Sequence, residues 1–165
     1  AACCTTCCAT WQRPPEVQRR TEVRALDLPP VWALGAAILS WLLARFVPLI
    51  SLPEGLGRVF MLAGIVVGVW ALVWFRRKKT PFEPRHEPKS LVVEGPYRIN
   101  RNPMYTGMTL ILIGWALSLG AVSALIPALA YPVLITRRFI LDEEDALRDA
   151  FGQEADQFFS RTRRW

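Results

Sequence analysis

Charge is missing from long stretches of this 165-residue sequence. No Asp, Glu, Lys or Arg occurs among the 33 residues from Met104 to Thr136. Val31–Ile50 and Gly55–Phe75 carry one charge each, Arg45 and Arg58. A bilayer core of roughly 30 Å is crossed by about 20 mostly apolar residues. These blocks argue against a soluble domain, a disordered chain and a small disulfide-stapled secreted domain, and for an integral membrane protein. Histidine is almost as scarce. His86 stands alone in a Pro- and charge-rich segment, without the second and third ligands that a metal site needs. No Walker loop, GxSxG elbow or Rossmann fingerprint occurs. Metal catalysis and triad hydrolysis are therefore poorly supported, and no metal is expected.

Cysteine is absent after residue 10. Cys3, Cys4, Cys7 and Cys8 lie in a run of Ala, Cys and Thr. Lipidation or metal binding would suit paired juxtamembrane thiols. The plainer expectation is a dispensable leader within a poorly ordered tail, residues 1–27, ahead of a membrane domain over 28–165.

Four spans are expected, near 31–50, 55–75, 103–119 and 121–137. The 33-residue block would form a helix of about 50 Å, too long for one crossing. Ser118-Leu119-Gly120-Ala121 divides it. Pro127 and Pro132 fall inside the last span, where neighbouring helices must compensate for the backbone bonds they remove. Of the 20 Lys and Arg residues, 18 lie before the first span, between the second and third, or after the fourth. By the positive-inside rule both termini and the 76–102 loop are cytoplasmic. The protein is thus expected to be multi-pass, in the inner membrane if bacterial. Its net charge of +6 reads as anchoring against anionic lipid rather than nucleic-acid binding, because the basic residues cluster at span ends without a nucleic-acid motif. Gly64-xxx-Gly68, and Gly107 with Gly114, are suited to close helix approach. The seven tryptophans mostly fall near span ends, as interfacial anchors do.

Two segments exceed what a plain bundle requires. In GPYRINRNPMYTG, residues 95–107, Asn102 and Pro103 are a favoured N-cap and first helical residue. The free N–H groups of that helix start, beside Arg98 and Arg101, form an anion site. The bland alternative is a simple cap with arginines facing lipid phosphates. In RRFILDEEDALRDAFG, residues 137–152, a helical projection puts Glu144 with Ile140, Leu147 and Phe151, and Glu143 at the edge of that stripe. Asp142, Asp145 and Asp149 take the opposite, solvated face. A carboxylate aimed at a core needs a partner, such as an arginine or a polar ligand.

Together these segments resemble the isoprenylcysteine carboxyl methyltransferase and phospholipid N-methyltransferase superfamily. The pattern GPYR-x-x-R-[HN]-P-x-Y-x-G (Gly95 to Gly107), the pair Glu143-Glu144, the element Phe151-Gly152-Gln153-Glu154 and the ending Arg163-Arg164-Trp165 carry the resemblance over about residues 28–165. It implies an all-α bundle of four transmembrane helices with a cytoplasmic C-terminal amphipathic helix. It further implies methyl transfer from S-adenosylmethionine to a lipophilic acceptor entering from the bilayer, a prenylcysteine-like carboxylate or a lipid head group. Carried over by position, Arg98, Arg101, Asn102, Pro103, Tyr105 and Gly107 line one side of the cofactor pocket, and Glu143 and Glu144 the other. Tyr105, Glu143 and Glu144 are the candidate catalytic groups, since a thiol or amine acceptor must lose a proton. Asn102 replaces the His of the prenylcysteine enzymes, and Ala155 and Phe158 replace tyrosines common in relatives. An NADPH-dependent membrane reductase of the sterol-reductase type and a non-catalytic membrane adaptor are the alternatives.

Overall fold

A computed structural model describes residues 27–48, 55–77, 91 and 93–165. The cysteine-bearing tail and His86 lie outside the described residues. The described chain is helical: α1 (Pro29–Phe46), α2 (Gly55–Arg77), a 3-10 turn (Gly95–Arg98), α3 (Pro103–Ser118), a second 3-10 turn (Val122–Ala124), α4 (Leu125–Ile135), a π turn (Thr136–Ile140), α5 (Leu141–Phe151) and α6 (Gln153–Arg161). An isolated parallel bridge joins Asn100 with Arg163.

Among the described residues, three helices are long and apolar enough to cross a bilayer: α1, α2 and the continuous rod Val122–Phe151. Their outer faces are greasy, as Leu34, Phe46, Leu62, Val66 and Ile126 illustrate. The remaining expected span, α3, has 16 residues, about 24 Å, which is short of the bilayer core by itself. It lies centrally, packed against α1, α2 and α4. Its start at Pro103 and its end before Gly120, which adopts a φ of 71°, match the expected boundaries.

Glycine sets the closest packing. A methyl group built on Gly64 would stand 2.7 Å from the Gly107 carbonyl oxygen, and one on Gly57 would stand 2.6 Å from that of Gly114. Two antiparallel glycine pairs, seven residues apart on each helix, therefore let the α2 and α3 backbones touch. On the other side of α3 the core is Leu112, Ala116, Ala124, Ala128, Tyr131, Ile135, Phe139 and Ile140. Polar groups there bond to backbone: Tyr131 Oη donates to the Pro29 carbonyl (3.2 Å), Ser123 Oγ to Leu43 (3.2 Å) and Trp115 Nε1 to Ala37 (3.2 Å). Each satisfies a group that apolar surroundings would otherwise strand.

The prolines do not end the last span. Pro127 falls in the first turn of α4, where its missing N–H has no intrahelical partner to lose, whereas Pro132 is internal. The ladder widens into the π turn at Thr136, four residues after Pro132, and Thr136 Oγ1 donates to the Pro132 carbonyl at 2.7 Å. The rod then runs on without a break into α5. The amphipathic acidic segment is thus the direct extension of a span. Only Gly152, with φ 52°, turns the chain into α6.

Candidate functional site

The GPYR segment and the acidic segment meet at one end of the bundle, and the C-terminal residues hold them together. Gly95 begins the 3-10 turn with φ 61°, and a side chain there would collide with the Trp74 ring, 2.6 Å from its nearest atom. Only glycine fits this backbone against the last turns of α2. Tyr97 is carried inward, its ring 6.5 Å from that of Phe75.

Glu144 is the hub. It is 3% exposed and accepts from Arg101 Nη1 (2.9 Å), Arg164 Nε (2.9 Å) and Arg164 Nη2 (2.6 Å). The two Arg164 bonds make a fork-to-fork pair, and this carboxylate holds the Arg164 guanidinium above its ordinary pKa. Arg101 also donates from Nε to the Thr162 carbonyl (2.9 Å) and from Nη2 to that of Phe159 (3.3 Å), and it lies 4.7 Å over the Phe159 ring. Its backbone N–H bonds the Arg163 carbonyl at 2.8 Å. The chain end therefore runs alongside residues 100–102 and is fastened there.

Asn102 occupies the N-cap position of α3, yet its side chain makes no capping bond. Its amide donates instead to the Arg164 carbonyl at 3.1 Å. The expectation of a capping side chain is corrected on this point: holding the chain end has displaced the cap. Pro103 is fully buried at the first helical position, and Gly107 packs against Gly64 and Gly68. The structure gives these two residues packing roles.

Beside the hub lies a second, smaller contact. Tyr105 Oη donates to Glu143 Oε1 at 2.6 Å, across 38 residues of chain. The helical projection of α5 holds: Glu144 is buried and Glu143 half-buried, while Asp142, Asp145 and Asp149 are exposed. Near this pair sits Tyr97, 7% exposed, whose buried hydroxyl has no hydrogen-bond partner among the described residues. Burial, and secondarily the Glu143 carboxylate, push the Tyr97 phenol well above its ordinary range. A neutral buried hydroxyl beside a half-buried carboxylate is equipped to receive a polar ligand group.

Arg98 lies apart from this network. It is exposed, makes no hydrogen bond or ion pair with a described residue, and lines a groove with residues of α6. Sequence reasoning missed Tyr97, although it stands in the GPYR motif, and missed that Arg164 is the partner Glu144 requires. The Arg163-Arg164-Trp165 ending was the available signal. Trp165 Nε1 itself reaches Thr136 Oγ1 at 3.2 Å.

Among the described residues no group of His, Cys, Asp and Glu is placed to hold a metal. Neither a curated protein nor a solved structure gives a significant match to the chain. The sequence profile of phospholipid methyltransferases does match, over residues 54–154, which takes in α2, α3, α4, α5 and both meeting segments. An apolar helical bundle, the two segments joined at one end of it and a profile covering more than half of the chain agree, and the chain belongs to the phospholipid methyltransferase family.

Proposed function

We propose that this protein is a four-span membrane methyltransferase that takes its methyl group from S-adenosylmethionine. The acceptor is lipophilic and reaches the site from the bilayer, and the site and both termini face the cytoplasm. The observation that carries this reading is the 2.6 Å bond between Tyr105 and Glu143. It joins the two motif segments next to the Tyr97 hydroxyl, which has no partner among the described residues. The basic residues support the orientation, since 18 of 20 fall on one side of the four-span arrangement.

The residues present fit S-adenosylmethionine. The Glu143 carboxylate suits its α-ammonium or ribose hydroxyls, and the Tyr97 hydroxyl, which has no hydrogen-bond partner among the described residues, suits a further polar group. When bound, the cofactor supplies an electrophilic methyl group on a sulfonium. Everything else falls to the chain. Tyr105 fixes one oxygen of Glu143, so the carboxylate keeps a single orientation, and positioning of this kind supplies much of the catalysis in an in-line displacement. Glu143 is also the group that takes the proton from an amine or thiol acceptor, whereas a carboxylate acceptor requires no base. Arg101, Asn102, Glu144 and Arg164 are positioning residues. Their bonds hold α5 against the start of α3 and so set the Glu143–Tyr105 contact.

The test is ligand-induced thermal stabilisation of the full chain in detergent, followed by transfer of labelled methyl groups to lipid extract. S-adenosylhomocysteine should raise the melting temperature, NADPH should not, and label should enter the lipid fraction. Stabilisation by NADPH alone would favour a reductase. Stabilisation by neither ligand, with no transfer, would leave a non-catalytic adaptor.

A further inference from the structure

Arg98 and Arg161 share a groove whose lining includes none of Tyr97, Tyr105 and Glu143. It lies between the segment leading into the 3-10 turn and the α6 helix, has a volume of about 540 Å³, and is lined by Leu91, Val93, Arg98, Glu154, Phe158 and Arg161, among others. That volume falls within the range of ordinary ligand sites, roughly 300–1,000 Å³.

Among the described residues the charges in it have no partner. Arg101, Arg138, Arg148 and Arg164 each hold a carboxylate. Arg98, Arg161 and Glu154 are exposed and form no hydrogen bond or ion pair with any described residue. Two arginines lining one cavity suit oxygens of a phosphate, which planar guanidiniums can grip with paired donors. Leu91, Val93 and Phe158 give the same cavity an apolar wall, which free phosphate could not use. The groove also adjoins the end of α2, a helix long and apolar enough to cross a bilayer. Its Arg98 wall belongs to the turn that Gly95 seats against Trp74, in the last turns of α2.

Glu154 narrows the ligand further. Two guanidiniums and one carboxylate leave a single net positive charge. A phosphodiester carries one negative charge and balances it, whereas a phosphate dianion would leave the groove net negative against Glu154.

We propose that this groove is a docking site for the phosphodiester of a glycerophospholipid, with Arg98 and Arg161 on the phosphate and the start of an acyl chain along Leu91, Val93 and Phe158. The site is separate from the Tyr105–Glu143 pair, and occupancy requires no methylatable group on the lipid. A bound lipid would clamp α6 and the GPYR turn together from the outer side.

The probe is therefore a lipid without nitrogen. Dihexanoylphosphatidylglycerol, titrated below its micelle concentration into the full chain in maltoside detergent, should bind saturably. Dihexanoylglycerol, which has no phosphate, and inorganic phosphate should each bind at least about tenfold more weakly. Arg98→Gln and Arg161→Gln should each weaken the lipid about tenfold and the double variant about a hundredfold, while Arg161→Lys should retain part of the affinity. Because both guanidiniums are exposed and bond to no described residue, the ligand-free melting temperatures should stay near wild type, which separates lost binding from lost fold. Glu154→Gln should narrow the preference for the diester over inorganic phosphate. No saturable lipid binding, or binding that survives in the double variant, would overturn the site. Inorganic phosphate binding as tightly as the lipid would overturn the lipid assignment. These readings are of binding alone, so they stand or fall independently of methyl transfer.

Discussion

Replacing Glu144 by Gln changes one atom type at the most connected side chain near the site. The carboxylate accepts three hydrogen bonds of 2.6–2.9 Å from two guanidiniums and is almost wholly buried. Glutamine keeps one acceptor oxygen but turns an NH₂ donor toward a cation, leaving two arginines without a counter-charge. Stranding one partner of a buried pair costs about 3–5 kcal/mol. Here the cost is smaller for two reasons. The Arg164 side chain is 38% exposed, so water takes over part of its solvation. Arg101, 16% exposed, keeps the Thr162 and Phe159 carbonyls. A loss of about 2–3 kcal/mol is expected, a fall in melting temperature of roughly 5–10 °C for a chain of this size. Asp145 is the control. It neighbours Glu144 and carries the same charge, but its side chain is 72% exposed and pairs with Arg148 one helical turn away. Asp145→Asn should stay within about 0.5 kcal/mol. Thermal unfolding of both variants in detergent decides the matter. A cycle adding Arg164→Gln should show positive coupling, because the second change relieves part of the first. Equal shifts for Glu144→Gln and Asp145→Asn, or strict additivity in the cycle, would refute the hub.

Tyr97→Phe removes a hydroxyl that bonds to no described residue, so the fold should be unchanged or slightly more stable, while affinity for S-adenosylhomocysteine should fall about threefold to tenfold by titration calorimetry. The same variant bears on pH. The folded phenol is held above the usual value of about 10, so the folded state binds its proton more tightly than the unfolded one, and stability is lost as pH rises past that value. Between about pH 9 and pH 11 the wild type should therefore lose more stability than Tyr97→Phe, and parallel unfolding curves would contradict the placement of Tyr97. Glu143→Gln should leave folding nearly intact and cut methyl transfer by about 10- to 100-fold, the worth of one charge-assisted bond, in the labelled-methyl assay. Gly64→Leu would place a side chain where the Gly107 carbonyl oxygen stands and should abolish a well-behaved peak in size-exclusion chromatography, whereas Gly35→Ala, with open space around it, should not. For topology, single cysteines at Gly55 and Gln153 in a background lacking the four native ones should label from opposite faces of the membrane, and labelling from one face would end the four-span reading.

The bundle was legible because its causes are local. A stretch without charge either crosses a membrane or is buried, and Gly120 and Pro103 mark the ends of α3 through backbone constraints of their own. The face of α5 was equally legible. Helical periodicity alone assigns Glu144 to the buried side and Asp145 to water, whatever lies opposite.

What periodicity could not supply was the identity of the partner. The sequence requires that Glu144 meet a cation or a polar ligand, and it offers several arginines. Which of them answers depends on where the chain end lies, and that is fixed by contacts between residues more than 60 apart, such as Asn102 with Arg164. The same contacts decide that Asn102 fastens the chain end instead of capping α3, and that Arg98 joins Arg161 in a groove rather than the carboxylates. They also decide that the acidic helix prolongs a span, since a π turn after Pro132 leaves the rod intact where a proline could have ended it. Local sequence thus determined which residues are helical, apolar or in need of a partner. The pairing of those needs is a property of distances through space, and only the tertiary structure decided it.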